Sequence, residues 1–350
     1  MTSRLSPDMF RIPVEEIKAG LYSDSYFLRT SEILKKDNHH PHVVMQVFQR
    51  NHAILCGMDE AIAIIKKCAH HPERLIIHAL HDGDIVEPWE TVLTIEGDLT
   101  DFSHLETIYL GVLSRQTKIA TNVHSAVKAA NGKPILFFPS RFDHYSVQPS
   151  DGYAAYIGGV YGVSTSANGM YWGGEALGTI PHALIATYSG DTVRATKAFD
   201  QHIDPSINRV ALVDFNNDCV TTSLAVAREL KDKLWAVRLD TADTLVDASV
   251  VPQMSTFKPT GVCPQLVRNV RLALDAEGFT HVKIMVSGGF TTERITEFEA
   301  AKVPVDLYAV GSSLYNKNIN FTADIVTVNG KPSAKVGRQY NPNPRLKEVK

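Results

Sequence analysis

The sequence predicts an α/β protein: an irregular parallel α/β barrel, TIM-like but with fewer than eight regular strands, together with a smaller N-terminal α/β domain. Three observations carry that reading. Between about residue 134 and residue 313, short continuously apolar runs alternate with amphipathic stretches, the pattern of buried parallel strands linked by helices. The first third lacks that rhythm, and its β-like runs alternate or are joined by turn formers. The chain has 350 residues, more than one ordinary domain, whereas a barrel alone takes about 200–250. The expected division is an N-terminal α/β domain over 1–112, a barrel over 113–315, and a C-terminal segment over 316–350 that returns to the N-terminal domain.

The elements follow in order. "HVVMQVFQR" (42–50) alternates like a strand, and "GMDEAIAIIKKCA" (57–69) has helical apolar spacing after a glycine. "LIIHALHDGDIVEPWETVLTIEGDL" (75–99) gives two β-like runs joined by the turn formers "DGD" and "EP". "FSHLETIYLGVLSRQTKIATNVHSAVKAANG" (102–132) reads as long helix ending at "NG". "PILFFPS", "ALGTIPH", "NRVALVDF", "LWAVRLD", "HVKIMVSGG" and "VDLYAVGSS" then read as six buried strands. Helical segments lie among them: "DTVRATKAFDQHI", "DCVTTSLAVAREL", "CPQLVRNVRLALDAEG" and "TTERITEFEAAK". "FTADIVTVNGKPSAKVGRQ" (321–339) reads as a hairpin around "NG".

Composition narrows the function classes. Hydrophobic residues make up 44% and charged residues 21%, ordinary for a protein with a real core. A formal net charge of -3 provides no basic field for nucleic acid or an anionic membrane, though a local anion site stays open. The four cysteines show no C-x-x-C spacing, so they read as reduced thiols of a cytosolic protein. The N-terminus has no apolar signal-peptide core, and no run of about 18 apolar residues suggests a membrane span. A soluble, cytoplasmic protein acting on small molecules is expected.

In parallel α/β folds function gathers at the C-terminal ends of strands. There the sequence places Ser140–Arg141, His182, Asp214, Arg238–Asp240, Ser287–Gly289 and Gly311–Ser312. "VSGGFTTERI" and "AVGSSLYN" set Gly and Ser between a strand and the next element, where bare N–H groups bind phosphate; either alone is equally well a tight turn. Arg238 and Asp240, two apart, share a strand face. With Asp214, the acids could hold Mg²⁺ on a diphosphate or sugar hydroxyls, or serve structure. Arg141 is suited to a carboxylate, and Ser164, Thr165 and Ser166 supply hydroxyls. Pro181 ends its segment, so a short helix starts at His182. That segment alone fits a core histidine as well as a catalyst. "NHHPH" and "HHPE" lack regular ligand spacing and read as solvated loops.

On "YSDSYF", "PSRF", "GTIPHALIA", "VRLDTAD", "FKPTGVCPQLV", "VSGGF", "AVGSSL" and "GKPSAKVGR", in that order, the chain resembles the nicotinate phosphoribosyltransferases of the type II phosphoribosyltransferase family, in particular the archaeal-type branch. The resemblance covers nearly the whole chain. It implies the irregular barrel and the N-terminal domain. It implies the formation of nicotinate mononucleotide and pyrophosphate from nicotinate and phosphoribosyl pyrophosphate in NAD biosynthesis, with Mg²⁺ and often with ATP as a further co-substrate. Arg141 would bind the nicotinate carboxylate, and Tyr26, with Asp24 beside it, would stack on the pyridine from a partner subunit, which implies a homodimer or larger homo-oligomer. His182 would be the residue phosphorylated by ATP. Arg238 would meet substrate phosphates, Asp240 the ribose or Mg²⁺, and Asp214 would assist. Ser287, Gly288, Gly289, Gly311 and Ser312 would hold the 5′-phosphate. Nicotinamide-specific relatives carry an acid near Ser164, and none stands here. Two departures are the serines of "VGSSL" and the lack of any cysteine after Cys263, so no structural zinc is expected. The competing readings are a nicotinamide or quinolinate phosphoribosyltransferase, a catalytically silent binder of NAD metabolites, and an aldolase- or isomerase-type barrel.

Overall fold

The computed structural model describes residues 4–177 and 179–350. It divides into two compact units: Met1–Asn122 with Tyr153–Gly158 and Lys317–Lys350, and Val123–Gly152 with Gly159–Asn316.

The first unit is built on a six-stranded sheet whose described pairings are antiparallel. At its centre lies His42–Phe48, flanked by Thr91–Asp98 and by Thr322–Val328 from the C-terminal segment. The "NG" hairpin is present, with Lys331–Pro332 paired back onto Thr327 and Val328. The segment 75–99 forms three strands, Ile76–Ala79, Ile85–Val86 and Thr91–Asp98; the middle one pairs with Ala53–Ile54 in a separate ribbon. The helix Met58–Cys68 buries Ile62, Ile65 and Cys68 against the sheet residues Val47, Leu93 and Ile95 in one apolar cluster. Gly57 precedes it at φ +91 and has no side chain to cap the helix. Asp82 does so instead, accepting from Met58 N at 2.8 Å and Asp59 N at 3.4 Å. The long helix runs Glu106–Ala129, after a 3-10 turn at Ser103–Leu105.

The second unit contains six parallel strands: β1 (Ile135–Phe137), β2 (Gly162–Val163), β3 (Arg209–Leu212), β4 (Leu234–Leu239), β5 (Lys283–Val286) and β6 (Leu307–Val310). Their order is β2-β1-β6-β5-β4-β3. The sheet curls as half a barrel with β2 and β3 at its edges, so the irregular parallel barrel expected from the sequence is the fold. All residues of β1, β3 and β6 are buried, which explains why these strands read as unbroken apolar runs. Helices Thr192–His202, Cys219–Leu230 and Thr292–Ala300 start on Asp191, Asp218 and Thr291, each accepting from the N–H three residues on.

One expected strand is not found among the described residues. "ALGTIPH" makes only a bridge from Ala176 to Val163 and a hydrogen bond from Leu177 N to Val163 O at 2.8 Å. Gly178 lies outside the described residues, and Pro181 has no N–H for a ladder. The short β2 supplies the sixth strand; two residues show no periodicity to read. Among the described residues no helix is long and apolar enough to cross a membrane.

Candidate active site

A cavity of about 670 Å³ opens at the C-terminal ends of the parallel strands. Each wall is delivered by the segment that follows a strand. After β1, Pro139 turns the chain into the 3-10 turn Ser140–Phe142, bringing Ser140 and Arg141 to the rim. The Arg141 guanidinium lies 5.3 Å from the Phe142 ring centroid and pairs with no carboxylate among the described residues. After β2 come Ser164 and Thr165, then the helical turn Ser166–Gly169, which Thr165 caps. Ser164 and Thr165 line the cavity.

Pro181 is the residue before the helix His182–Thr187, so the histidine opens the helix and lines the cavity. Its Nε2 lies 3.0 Å from Asp214 Oδ1. The two differ sharply in exposure, 45% for the His182 side chain and 8% for Asp214. Asp214, just past β3, stands behind the histidine and not on the cavity wall. Burial raises its pKa above the usual carboxylate range; His182 opposes the shift and Asp240 adds to it.

At the end of β4, Arg238 and Asp240, the residue just past the strand, lie on one side, as their spacing suggests. Arg238 donates to Thr179 Oγ1 at 2.7 Å and to Asp240 Oδ2 at 3.2 Å, while its buried Nε has no partner among the described residues. Asp240 Oδ1 accepts from Ser287 Oγ at 2.6 Å. A guanidinium and a carboxylate are thereby fixed side by side, with the buried Nε–H of Arg238 left unpartnered among the described residues.

The two glycine turns differ. Gly288 and Gly289 sit at φ +82 and +73, conformations that side chains disfavour, and they bring bare backbone to the wall. Gly311 has ordinary φ, and a Cβ there would meet Phe142 Cε2 at 3.1 Å, a tight contact with the ring beside Arg141. Ser312 and Ser313 follow on the wall, and Ser313 is held by donating to Phe290 O at 2.7 Å.

The structure thus gathers Arg141, Ser164, His182, Arg238, Asp240, Ser287, Gly288, Gly289, Gly311 and Ser312 on one cavity, with Asp214 one layer back. It does not bring Asp24 and Tyr26 there. Both belong to the first unit, where Tyr26 donates to Asp24 Oδ2 at 3.2 Å and is 55% exposed. Sequence reasoning missed Thr179 and Asn168. Thr179 stands inside "GTIPHALIA" but its role depends on Arg238, 59 residues on, and Asn168 lies outside the quoted motifs and acts through Ser140, 28 residues back. No cluster of three or more metal-ligating side chains occurs among the described residues, including the two histidine-rich loops. Asp240 is the one carboxylate among the described residues lining the cavity, and Asp214, whose pKa its charge raises, lies behind His182.

Residues 24–117 match the family model of the quinolinate phosphoribosyl transferase N-terminal domain. A nicotinate-nucleotide pyrophosphorylase structure from Pyrococcus furiosus superposes with a TM-score of 0.82 at 36% identity, covering 97% of this chain and 85% of that one. A nicotinate phosphoribosyltransferase from Mycobacterium tuberculosis is 29% identical over 265 residues, 73% of this chain and 54% of the relative. The human nicotinic acid phosphoribosyltransferase shares the fold, with a TM-score of 0.67 at 15% identity over 91% of this chain and 77% of that one. The chain spans about half the length of the mycobacterial relative it matches. It belongs to the type II phosphoribosyltransferase family.

Proposed function

We propose that the protein is a nicotinate phosphoribosyltransferase of NAD biosynthesis, joining nicotinate to phosphoribosyl pyrophosphate and releasing pyrophosphate. The observation that carries this is the uncommitted Arg141 guanidinium on a cavity that glycine turns and the Arg238–Asp240 pair also line. The names of the relatives support it: nicotinate phosphoribosyltransferase names the forward reaction, and nicotinate-nucleotide pyrophosphorylase names the same bond from the product side. Quinolinate, the substrate in the family model's name, brings a second carboxylate. Besides Arg141, the basic side chains among the described lining residues are His182 and Arg238, already engaged with Asp214 and Asp240, so a single carboxylate fits better.

In this reading Arg141 fixes the carboxylate and so aims the pyridine nitrogen at the anomeric carbon. The turns at Ser287–Gly289 and Gly311–Ser312 hold the 5′-phosphate through backbone N–H groups. The carbon–oxygen bond to pyrophosphate breaks with its electron pair leaving on the diphosphate, and the ring nitrogen's lone pair forms the new bond. Arg238 faces the departing charge, and Ser287 keeps Asp240 oriented toward the ribose. Asp240, with Asp214 behind, would hold Mg²⁺, which supplies charge neutralisation at the leaving group. His182 presents Nδ1 as the ring nitrogen that Asp214 does not engage, the one suited to accept a phosphoryl group from ATP. Asp24 and Tyr26, exposed and off the cavity, would complete the site of a second copy in a homo-oligomer working in the cytoplasm. The experiment is a panel of nicotinate, nicotinamide and quinolinate with phosphoribosyl pyrophosphate, with and without ATP. Nicotinate-dependent pyrophosphate release supports the proposal; release with quinolinate alone contradicts it.

A further inference from the structure

The hydroxyls beside Arg141 have a polarity that hydrogen-bond bookkeeping fixes. Asn168 is fully buried, and its Nδ2 donates to the backbone carbonyl of Gln148 at 2.8 Å. A carbonyl only accepts, so the amide cannot be turned over, and Oδ1 must face the other way. Close packing holds the residue there: a Cβ on Gly152 would fall 2.0 Å from the Asn168 carbonyl oxygen. Asn168 Oδ1 accepts from Ser140 Oγ at 2.7 Å and has Thr165 Oγ1 at 2.9 Å. Ser140 has one proton and has spent it. The 2.9 Å contact between Ser140 Oγ and Ser164 Oγ is therefore donated by Ser164. Ser164 has then spent its own proton as well, and it offers only lone pairs to the cavity it lines.

We infer that Asn168, acting through Ser140, is a specificity-determining positioning residue: it sets Ser164 as a hydrogen-bond acceptor toward the pyridine 3-substituent, so the pocket takes the uncharged carboxamide as well as the carboxylate. This rests on the pyridine-binding reading of the cavity. A carboxamide N–H₂ donates to Ser164 and extends the chain Ser164 to Ser140 to Asn168 unbroken. A carboxylate has no proton to donate. It gains Arg141, but to gain Ser164 also it must pull that hydroxyl away from Ser140. The arginine and the serine therefore pull selectivity in opposite directions, and the buried asparagine decides the serine's part.

The test compares nicotinate and nicotinamide, by calorimetric dissociation constant and by kcat/KM, in the wild type, Ser140→Ala and Ser140→Thr. The wild type is expected to bind both. Ser140→Ala removes the acceptor for the Ser164 proton, which turns to the ligand, and the nicotinate-to-nicotinamide ratio rises by about tenfold in both measurements. Ser140→Thr keeps the hydroxyl and the wild-type ratio; a merely structural role for Ser140 would weaken both ligands together. A ratio unchanged in Ser140→Ala, or failure of the wild type to bind nicotinamide, overturns the inference while leaving nicotinate transfer intact. Should both pyridines bind without turnover, the proposed reaction fails and the ratio of dissociation constants still decides the relay. Binding of neither overturns the relay.

Discussion

Arg141 and His182 show how residue identity becomes chemistry only once its surroundings are placed. Arg141 is exposed and stacked on Phe142, so removing it costs little stability; in the proposed role it would also remove a charge-assisted hydrogen bond to the carboxylate, worth about 1.5–3 kcal/mol. Arg141→Ala should raise the nicotinate KM by about ten- to a hundredfold and leave the melting temperature within a degree or two. An unchanged KM would show that the carboxylate binds elsewhere. His182 was undecided from "GTIPHALIAT" alone. Its place at a helix start, with Asp214 3.0 Å from Nε2, takes it out of the core and gives it an orienting acid. In the ATP-coupled reading, His182→Ala and Asp214→Asn both lose the stimulation of transfer by ATP; equal stimulation in the wild type and His182→Ala would remove that role. The strand-end residues were legible because a two-residue period and a strand's end can be read from sequence. The Ser140–Asn168 link was not, because it joins positions 28 apart through a hydrogen bond that only the folded chain defines.

At the scale of elements, the turn after β5 and the cap of the helix Met58–Cys68 carry separate expectations. Gly288 has φ +82, so Gly288→Ala introduces strain of about 1–2 kcal/mol, and it does so in backbone assigned to the 5′-phosphate. The KM for phosphoribosyl pyrophosphate should rise more than tenfold, with the nicotinate KM nearly constant; the reverse split would misplace the phosphate. Asp82, partly buried at that cap, is pushed up to about 7, first by desolvation and then by the charge of Asp59. A carboxyl raised in the folded state stabilises below its unfolded value of about 4, and that contribution is lost as pH rises through about 7. The melting temperature should therefore fall between pH 5 and pH 8, and Asp82→Asn, which keeps an acceptor for the helix, should flatten that fall. A fall of the same size in the variant would locate the titration in another group. Glu106, also raised to about 7 by burial, accounts for part of what remains. The buried strands were legible from unbroken apolar runs. The edge at β2 was not, since Gly162–Val163 is too short to show a period, and Pro181 turned a convincing apolar run into the approach to a helix.

For the whole molecule, the alternation of strand and helix points to an irregular parallel barrel, which the structure shows as a curled six-stranded sheet, and the ordered motifs point to the family. What sequence could not convey is which surfaces meet in solution. Tyr26 is 55% exposed and remote in the chain from every residue on the cavity wall. If a second copy supplies it, Arg141→Ala and Tyr26→Ala, each nearly inactive, should regain about a quarter of wild-type activity when unfolded and refolded together in equal amounts. No recovery would confine each site to one chain. The central claim, that this cavity transfers phosphoribosyl to a pyridine bearing one carboxylate, is tested most directly by pyrophosphate release from phosphoribosyl pyrophosphate with nicotinate or quinolinate as acceptor. The account predicts release with nicotinate, dependent on Arg141, and little or none with quinolinate; release with quinolinate alone, or with neither, would contradict it.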